Sequence, residues 1–411
     1  MVKFLWPLAM ATLVAPMHAA AQIPGPAPAL TLRAALALAA QAHPALAAAQ
    51  YEVQAQDGLL LQASARPNPT LSFEQTGRGG AEAETIFMIS QPLELGGKRQ
   101  ARMRAAERGR DGAGAALEAQ RADLHSAVLA AFFDVLVAQE RLRLAQDGNE
   151  LAQSATLAAS RRVAAGKVSP VDETKARLAE ANVRLESTNA SAALASARRR
   201  LSAYWADPTP RFEKAEGDIG TLPEPPDSAL LARWREQSPA LLPARLEVER
   251  RKAVAQLEQA NRMPDLTVNL GSKRSGDPAR NQAVLGLSIP LPLFDRNQGG
   301  TLAAQRQADK AGAELAATAS RLENELAQSV QELDAARSAL ALLRSEILPA
   351  AQRASDAARK GFEFGKHSFL DVLDAQRTLL QARAQYLSAL SDGHRAAAAI
   401  ERILGHTANE H

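Results

Sequence analysis

The chain has 411 residues, 48 Lys and Arg against 45 Asp and Glu, and no cysteine. Its near-neutral balance, with bases and acids interspersed, excludes a basic nucleic-acid face, and the lack of thiols excludes disulfides and thiolate metal sites. Aromatics make up only 4% while alanine is abundant, which points to long helices rather than a compact α/β domain.

Residues 1–21 read as a secretory signal peptide. Lys3 precedes a mostly apolar stretch from Phe4 to Val14, and Ala19-Ala20-Ala21 before Gln22 forms a small-residue cleavage site. The apolar stretch is too short to span a bilayer. The longest uncharged mature stretch after the proline-rich start, Ala34 to Tyr51, is mostly alanine, interrupted by Gln41, His43 and Pro44, and reads as a packed helix. Thr70 to Gln75 then alternates polar and apolar residues, and Thr85 to Gln91 does so less cleanly. The turn-formers Gly77-Arg78-Gly79-Gly80 separate them as a strand pair. From about Gly97 to Ala164 no proline occurs, so a helix there reaches roughly 100 Å at 1.5 Å per residue.

The second half repeats the first. His43-Pro44-Ala45-Leu46 returns as Ser238-Pro239-Ala240-Leu241, an offset of 238 − 43 = 195, and Pro69 returns as Pro264 at 264 − 69 = 195. Pro92 returns as Pro290 at 290 − 92 = 198, and Gly166 returns as Gly365 at 365 − 166 = 199. Ordered matches at a slowly drifting offset mark a tandem duplication far longer than a solenoid repeat. The expected organisation is 22–205 for the first repeat, 228–405 for the second, and a polar tail at 406–411. A linker at 206–227 holds five prolines and is expected to cross outside the main body.

The second repeat carries its own strand pair, Leu266 to Leu270 and Ala283 to Ile289, separated by Ser275-Gly276-Asp277-Pro278. Only Pro349 interrupts the stretch from Gly300 to Gly365. Apolar residues fall seven apart at Leu326, Leu333, Leu340 and Ile347, at Val171, Leu178 and Leu185, and at Leu373, Leu380 and Leu387. That spacing predicts side-by-side packing in a left-handed coiled coil. The fold class is thus mainly α with a small β part. Four strands leave open edges that a hydrocarbon core does not tolerate, so membrane-inserted hairpins require an oligomer that closes a barrel. Soluble hairpins capping a helical bundle are the alternative at this point.

Three motifs carry a family resemblance: Gln91-Pro92-Leu93-Glu94-Leu95-Gly96-Gly97-Lys98-Arg99, Ile289 to Gly299, and Gly365 with Leu370-Asp371-Val372-Leu373-Asp374-Ala375-Gln376. With them the chain resembles the outer-membrane efflux protein family typified by TolC. Within it, the chain is similar to the heavy-metal, CzcC-like branch of tripartite resistance-nodulation-division pumps. The resemblance spans about Thr31 to Leu404. It implies a homotrimer in outer-membrane lipid, with a twelve-stranded β-barrel continued by a periplasmic α-barrel of long coiled-coil helices. It also implies a periplasmic membrane-fusion adaptor and an inner-membrane pump as partners, no cofactor, and passage of heavy-metal cations. Drug efflux or type I secretion by the same fold, and a pore-less periplasmic coiled-coil scaffold, are the competing functions.

Site residues follow from turn chemistry and from the resemblance. Pro92 and Pro290 are expected to end strands at the barrel rim, with Gly96, Gly97, Gly299 and Gly300 redirecting the chain into helices. Gly166 and Gly365 each break a long helix and mark a hairpin tip. The resemblance turns the tips, Gly166, Lys167, Ser169, Asp172, Gly365, Lys366, His367 and Ser368, toward the adaptor. It also implies a periplasmic gate at Asp371 and Asp374, which would form carboxylate rings in a trimer. A simpler reading is that these acids favour the positive end of a helix dipole. Where TolC has a tyrosine and an arginine in its entrance network, this chain has Phe362 and His367, and His367 beside the carboxylates raises the hypothesis of pH-sensitive opening. No enzyme constellation is found, and no metal site is predicted. The mature histidines, His43, His125, His367, His394, His406 and His411, form no metalloprotease-like helical pair.

Overall fold

The computed structural model describes residues 29–77, 83–275 and 280–405. The cleavage region, the glycine turn at 78–80, the turn at 276–278 and the polar tail lie outside the described residues. The first half contains β1 (Leu30–Thr31), α1 (Leu32–Ala42), α2 (Pro44–Ser64), β2 (Thr70–Thr76), β3 (Glu84–Leu93), α3 (Lys98–Ala164) and α4 (Pro170–Ala203). After β4 (Ala215–Glu216) come α5 (Ser228–Gln237), α6 (Leu242–Ala260), β5 (Leu266–Ser275), β6 (Arg280–Ser288), α7 (Gln298–Leu342), α8 (Leu348–Glu363) and α9 (Phe369–Leu404).

The stretch expected as one helix around Ala34 to Tyr51 is two. His43 is extended between α1 and α2 because Pro44 disfavours helical backbone at the residue before it. His43 Nδ1 lies 3.0 Å from the carbonyl of Tyr204, tying this break to the end of α4. Pro349 does not break the α7–α8 run. A five-residue π-turn, Leu343–Ile347, precedes it. Widening the helix there relieves the clash a proline ring makes with the carbonyl four residues back, here Ser345.

Core packing follows the long helices. Leu124, Val128, Phe132 and Val135 of α3 bury against Leu194 and Leu201 of α4 and Ala35 and Ala39 of α1. Leu322, Leu326 and Leu333 of α7 pack with Ile400 and Ile403 of α9. Each fully buried leucine or isoleucine contributes roughly 1.5–3 kcal/mol of apolar transfer. The heptads divide. Leu326, Leu333 and Leu340 are buried, whereas Val171, Leu178 and Leu185 stand 57%, 63% and 60% exposed. The expected seam on α4 is therefore absent within one chain; α4 turns Ala176, Ala190, Leu194 and Ala197 inward instead.

The segment at 206–227 runs mostly exposed along the surface and is anchored to the body at two places. β4 pairs in parallel with β1, Leu30 opposite Ala215. Phe212 and Ala215 join the first core. Farther along, His394 of α9 stacks on Phe133 with ring centroids 3.6 Å apart, and its Nε2–H donates to the carbonyl of Ile219 at 3.0 Å. Proline prevents a helix here but not burial.

Candidate functional site

The four long strands form one antiparallel sheet in the order β2-β3-β5-β6. Residues paired across strands share a face. One face carries the rows Leu71–Ile89–Leu270–Leu285 and Phe73–Phe87, flanked by Val268 and Leu287. The Phe73 and Phe87 rings sit 4.9 Å apart. The other face carries Thr70–Ser90–Asn269–Gly286, Ser72–Met88–Gly271–Val284 and Glu74–Ile86–Lys273–Gln282, with a Lys273–Glu84 ion pair at 2.8 Å. A mostly polar face backed by a mostly apolar face that no other element covers among the described residues is the pattern of a barrel wall. Among the described residues, β2 and β6 are the two free edges of the sheet.

At the strand-to-helix rim two expectations need correction. Pro92 does not end β3; it pairs with Thr267 inside the strand, where β2 has already stopped at Thr70 opposite Ser90. With no neighbour on that side, an absent N–H is tolerated. Pro290 lies two residues beyond β6. Gly96 and Gly97 hold φ of +68° and +73° and redirect the chain into α3. In the second repeat Gly299 and Gly300 lie in the first turn of α7, and Asn297, at φ +52°, makes the redirection. Its amide donates to Glu258 at the end of α6. Asparagine tolerates the left-handed region best among residues with a Cβ, so the sequence signal lay two residues before the first glycine.

At the other end of the long helices the two tips are close copies. Gly166 and Gly365 sit at φ +67° and +73°. Gly166 and Lys167 donate to the carbonyls of Val163 and Arg162, and Gly365 and Lys366 donate to those of Phe362 and Gly361. Both are Schellman closures. Ser169 and Ser368 then cap α4 and α9. Asp172 is half-buried, while Lys167, Lys366, His367 and Ser368 are exposed.

Asp371 completes a capping box. Its Oδ2 accepts from the Ser368 N–H and hydroxyl, each at 2.8 Å, while the Asp371 N–H donates back to Ser368 Oγ at 3.2 Å. Those bonds, the backbone donor foremost, hold its carboxyl below the usual aspartate range; nearby His367 adds to this, its Nδ1 lying 3.9 Å from Asp371 Oδ2. Asp374, one turn on, lines a groove of about 1010 Å³ between α3, α4 and α9, with Leu178, Leu373, Leu380 and Arg377. The two carboxylates therefore have different surroundings in one chain: Asp371 is engaged by its helix start, and Asp374 faces open space.

One feature of the tips has no local sequence signal. The Arg162 guanidinium stacks on Phe362, 3.8 Å from the ring centroid, and its Nη2 donates to the Phe362 carbonyl at 2.9 Å. The first tip is thereby tied to the second, across 200 residues of sequence. Among the described residues, no group of three or more His, Cys, Asp or Glu side chains converges as a metal site.

The sequence profile described as outer membrane efflux protein matches residues 35–207 and 230–406. The chain is 47% identical over 376 residues to the cobalt-zinc-cadmium resistance protein CzcC of Cupriavidus metallidurans, covering 92% of this chain and 90% of that protein. It is 31% identical over 310 residues to the nickel and cobalt resistance protein CnrC of the same organism, covering 74% and 71%. Its fold matches the CmeC outer membrane channel of Campylobacter jejuni with a TM-score of 0.76 at 14% identity, over 98% of this chain and 94% of that one.

Proposed function

Because the chain belongs to the outer membrane efflux protein family, we propose that it is the outer-membrane channel of a tripartite efflux pump and passively conducts heavy-metal cations to the exterior. The observation that carries the reading is the four-stranded sheet with one apolar face, one polar face and two free edges. In lipid those edges must pair, so copies join until the sheet closes. Two copies give eight strands, whose interior side chains fill; three give twelve and leave a lumen. A homotrimer is therefore the assembly that conducts, with Leu71, Phe73 and Leu285 toward lipid and Asn269, Lys273 and Glu74 toward the lumen.

Two repeats, 22–205 and 228–405, give each copy two hairpins and two pairs of long helices. The helices extend the duct roughly 100 Å into the periplasm, as the 67 residues of α3 allow. Pro92, Gly96, Gly97, Pro290 and Asn297 mark the rim where barrel meets helices. Asp371 and Asp374 ring the periplasmic entrance, draw cations in and narrow it, and the tips at 166–172 and 365–368 face the adaptor that links to an inner-membrane pump. No step of catalysis is assigned to the chain. Metal as cargo is favoured by the relatives, which are named for resistance to cobalt, zinc, cadmium and nickel.

Expression in a strain lacking its own channel, together with the cognate adaptor and pump, tests the cargo. Restored growth in zinc, cadmium or cobalt is expected. Restored resistance to organic toxicants with no gain toward any metal overturns the metal assignment.

A further inference from the structure

We propose that Phe294 of one copy seats in a groove on α2 of a second copy, sealing the ring where strands meet helices. The inference rests on the channel reading above, since it presupposes self-assembly. It starts from the registers of the two hairpins. Thr70 pairs with Ser90 in the first and Thr267 with Ser288 in the second. With the 198-residue offset of Pro92 and Pro290 carried over to the second strands, Ser90 against Ser288, these registers place the first strands at 267 − 70 = 197. This sets Pro67, not Pro69, against Pro264. It also sets Phe294 against Gly96, Arg66 against Met263, and Ala63 against Ala260.

Inside the chain the first rim already has its seat. Gly96 lies so close to the end of α6 that an added Cβ would meet Met263 Cβ at 2.7 Å and the Ala260 carbonyl at 3.3 Å. The second rim has no such seat in its own chain. Phe294 is 92% exposed, and its neighbours Leu291 and Leu293 are also bare. α2 packs on α3, α3 on α6 and α6 on α7, so the α2 face equivalent to the seat lies at the far edge of the row. There a cavity of about 490 Å³ is lined by Leu59, Ala63, Arg66, Pro67, Arg102 and Ala106.

Bulk is exchanged between the two seats. In the chain, Met263 fills the space that Gly96 leaves. Between copies, Phe294 fills the hollow over Ala63. The occupant is a second copy because the duplication places the seat and the side chain at equivalent positions of opposite repeats. Leu59, Ala63 and Pro67 receive the ring beside Gln62, Arg102 is held at the border by Glu94, and the Arg66 guanidinium is left to meet the phenyl group by cation–π attraction. Asp295, next in sequence and exposed, complements Arg66.

The chain has no cysteine, so paired substitutions report this contact without background. Phe294 and Arg66 lie at opposite ends of a four-helix row, about 25 Å apart at 8–10 Å per step, so a disulfide forms only between copies. Oxidising the Phe294→Cys/Arg66→Cys protein in outer-membrane vesicles is expected to give covalent dimers and trimers. Phe294→Cys/Glu52→Cys, whose α2 position is about 20 Å farther along the helix, should give none. Phe294→Ala should lower the temperature at which the unheated trimer dissociates on a gel, and Phe294→Tyr should not. Native trimers without the 294–66 product, or with product only from the control pair, overturn this seating and leave the channel reading standing. Absence of any oligomer overturns both.

Discussion

Replacing Arg162 with alanine removes a tie between the two hairpin tips while leaving both helices intact. The guanidinium lies 3.8 Å from the Phe362 ring centroid and donates to the Phe362 carbonyl at 2.9 Å. At a partly exposed site the stacking is worth about 1 kcal/mol and the charged hydrogen bond about 1.5 kcal/mol. Together the tie stabilises this arrangement of the tips by about 2–3 kcal/mol per copy, a factor of roughly 30–160 relative to tips that have separated. If the tips form the periplasmic entrance, single-channel recordings in planar bilayers should show Arg162→Ala spending far longer open than the parent. Arg162→Lys should fall between them, because an ammonium keeps the charge but lacks the planar group that stacks and donates together. Trimeric Arg162→Ala protein with unchanged open times would refute the reasoning.

Three other perturbations test separate parts of the account. Gly166→Ala and Gly365→Ala meet no atom within 4 Å of the new Cβ, so their cost is the left-handed backbone alone, about 1–2 kcal/mol each, and should lower the thermal midpoint measured by circular dichroism. Burial pushes the His394 imidazole below its usual range, against the opposing pull of the Ile219 carbonyl and Asp218. The unfolded chain therefore binds the extra proton first, and stability that is full above about pH 6.5 falls as pH drops toward the lowered folded value. His394→Gln should flatten that slope in denaturant titrations at pH 7.5 and 5.5; an equal slope in both proteins would contradict it. Asp371→Asn/Asp374→Asn should reduce the preference for cations over anions in reversal-potential measurements, and an unchanged reversal potential would remove these residues from the entrance.

Much of this arrangement is legible in the sequence, and the gaps have physical causes. Alternation located β2, β5 and β6, and the turn-formers before β3 located that strand although Ile86-Phe87-Met88-Ile89 puts apolar residues on both of its faces. The 199-residue offset between Gly166 and Gly365 located both tips, since only a residue free to turn left-handed closes a helix there so cheaply. Heptad spacing was less informative: Leu326 and Leu333 are buried, yet Leu178 is not, because the period marks an apolar stripe without saying what covers it. β1 and β4, two residues each, carry too short a pattern to be seen. Phe362 was visible as a departure at the entrance, but its partner was not. Arg162 meets it only through packing of hairpins from different repeats, which no local pattern encodes.

The central claim is that copies of this chain close a barrel that conducts. Purified protein that migrates as a heat-sensitive trimer should be added to planar lipid bilayers at symmetric salt. Discrete conductance steps, abolished when the sample is first heated to monomers, are the predicted result. Trimers that insert without passing current would contradict it.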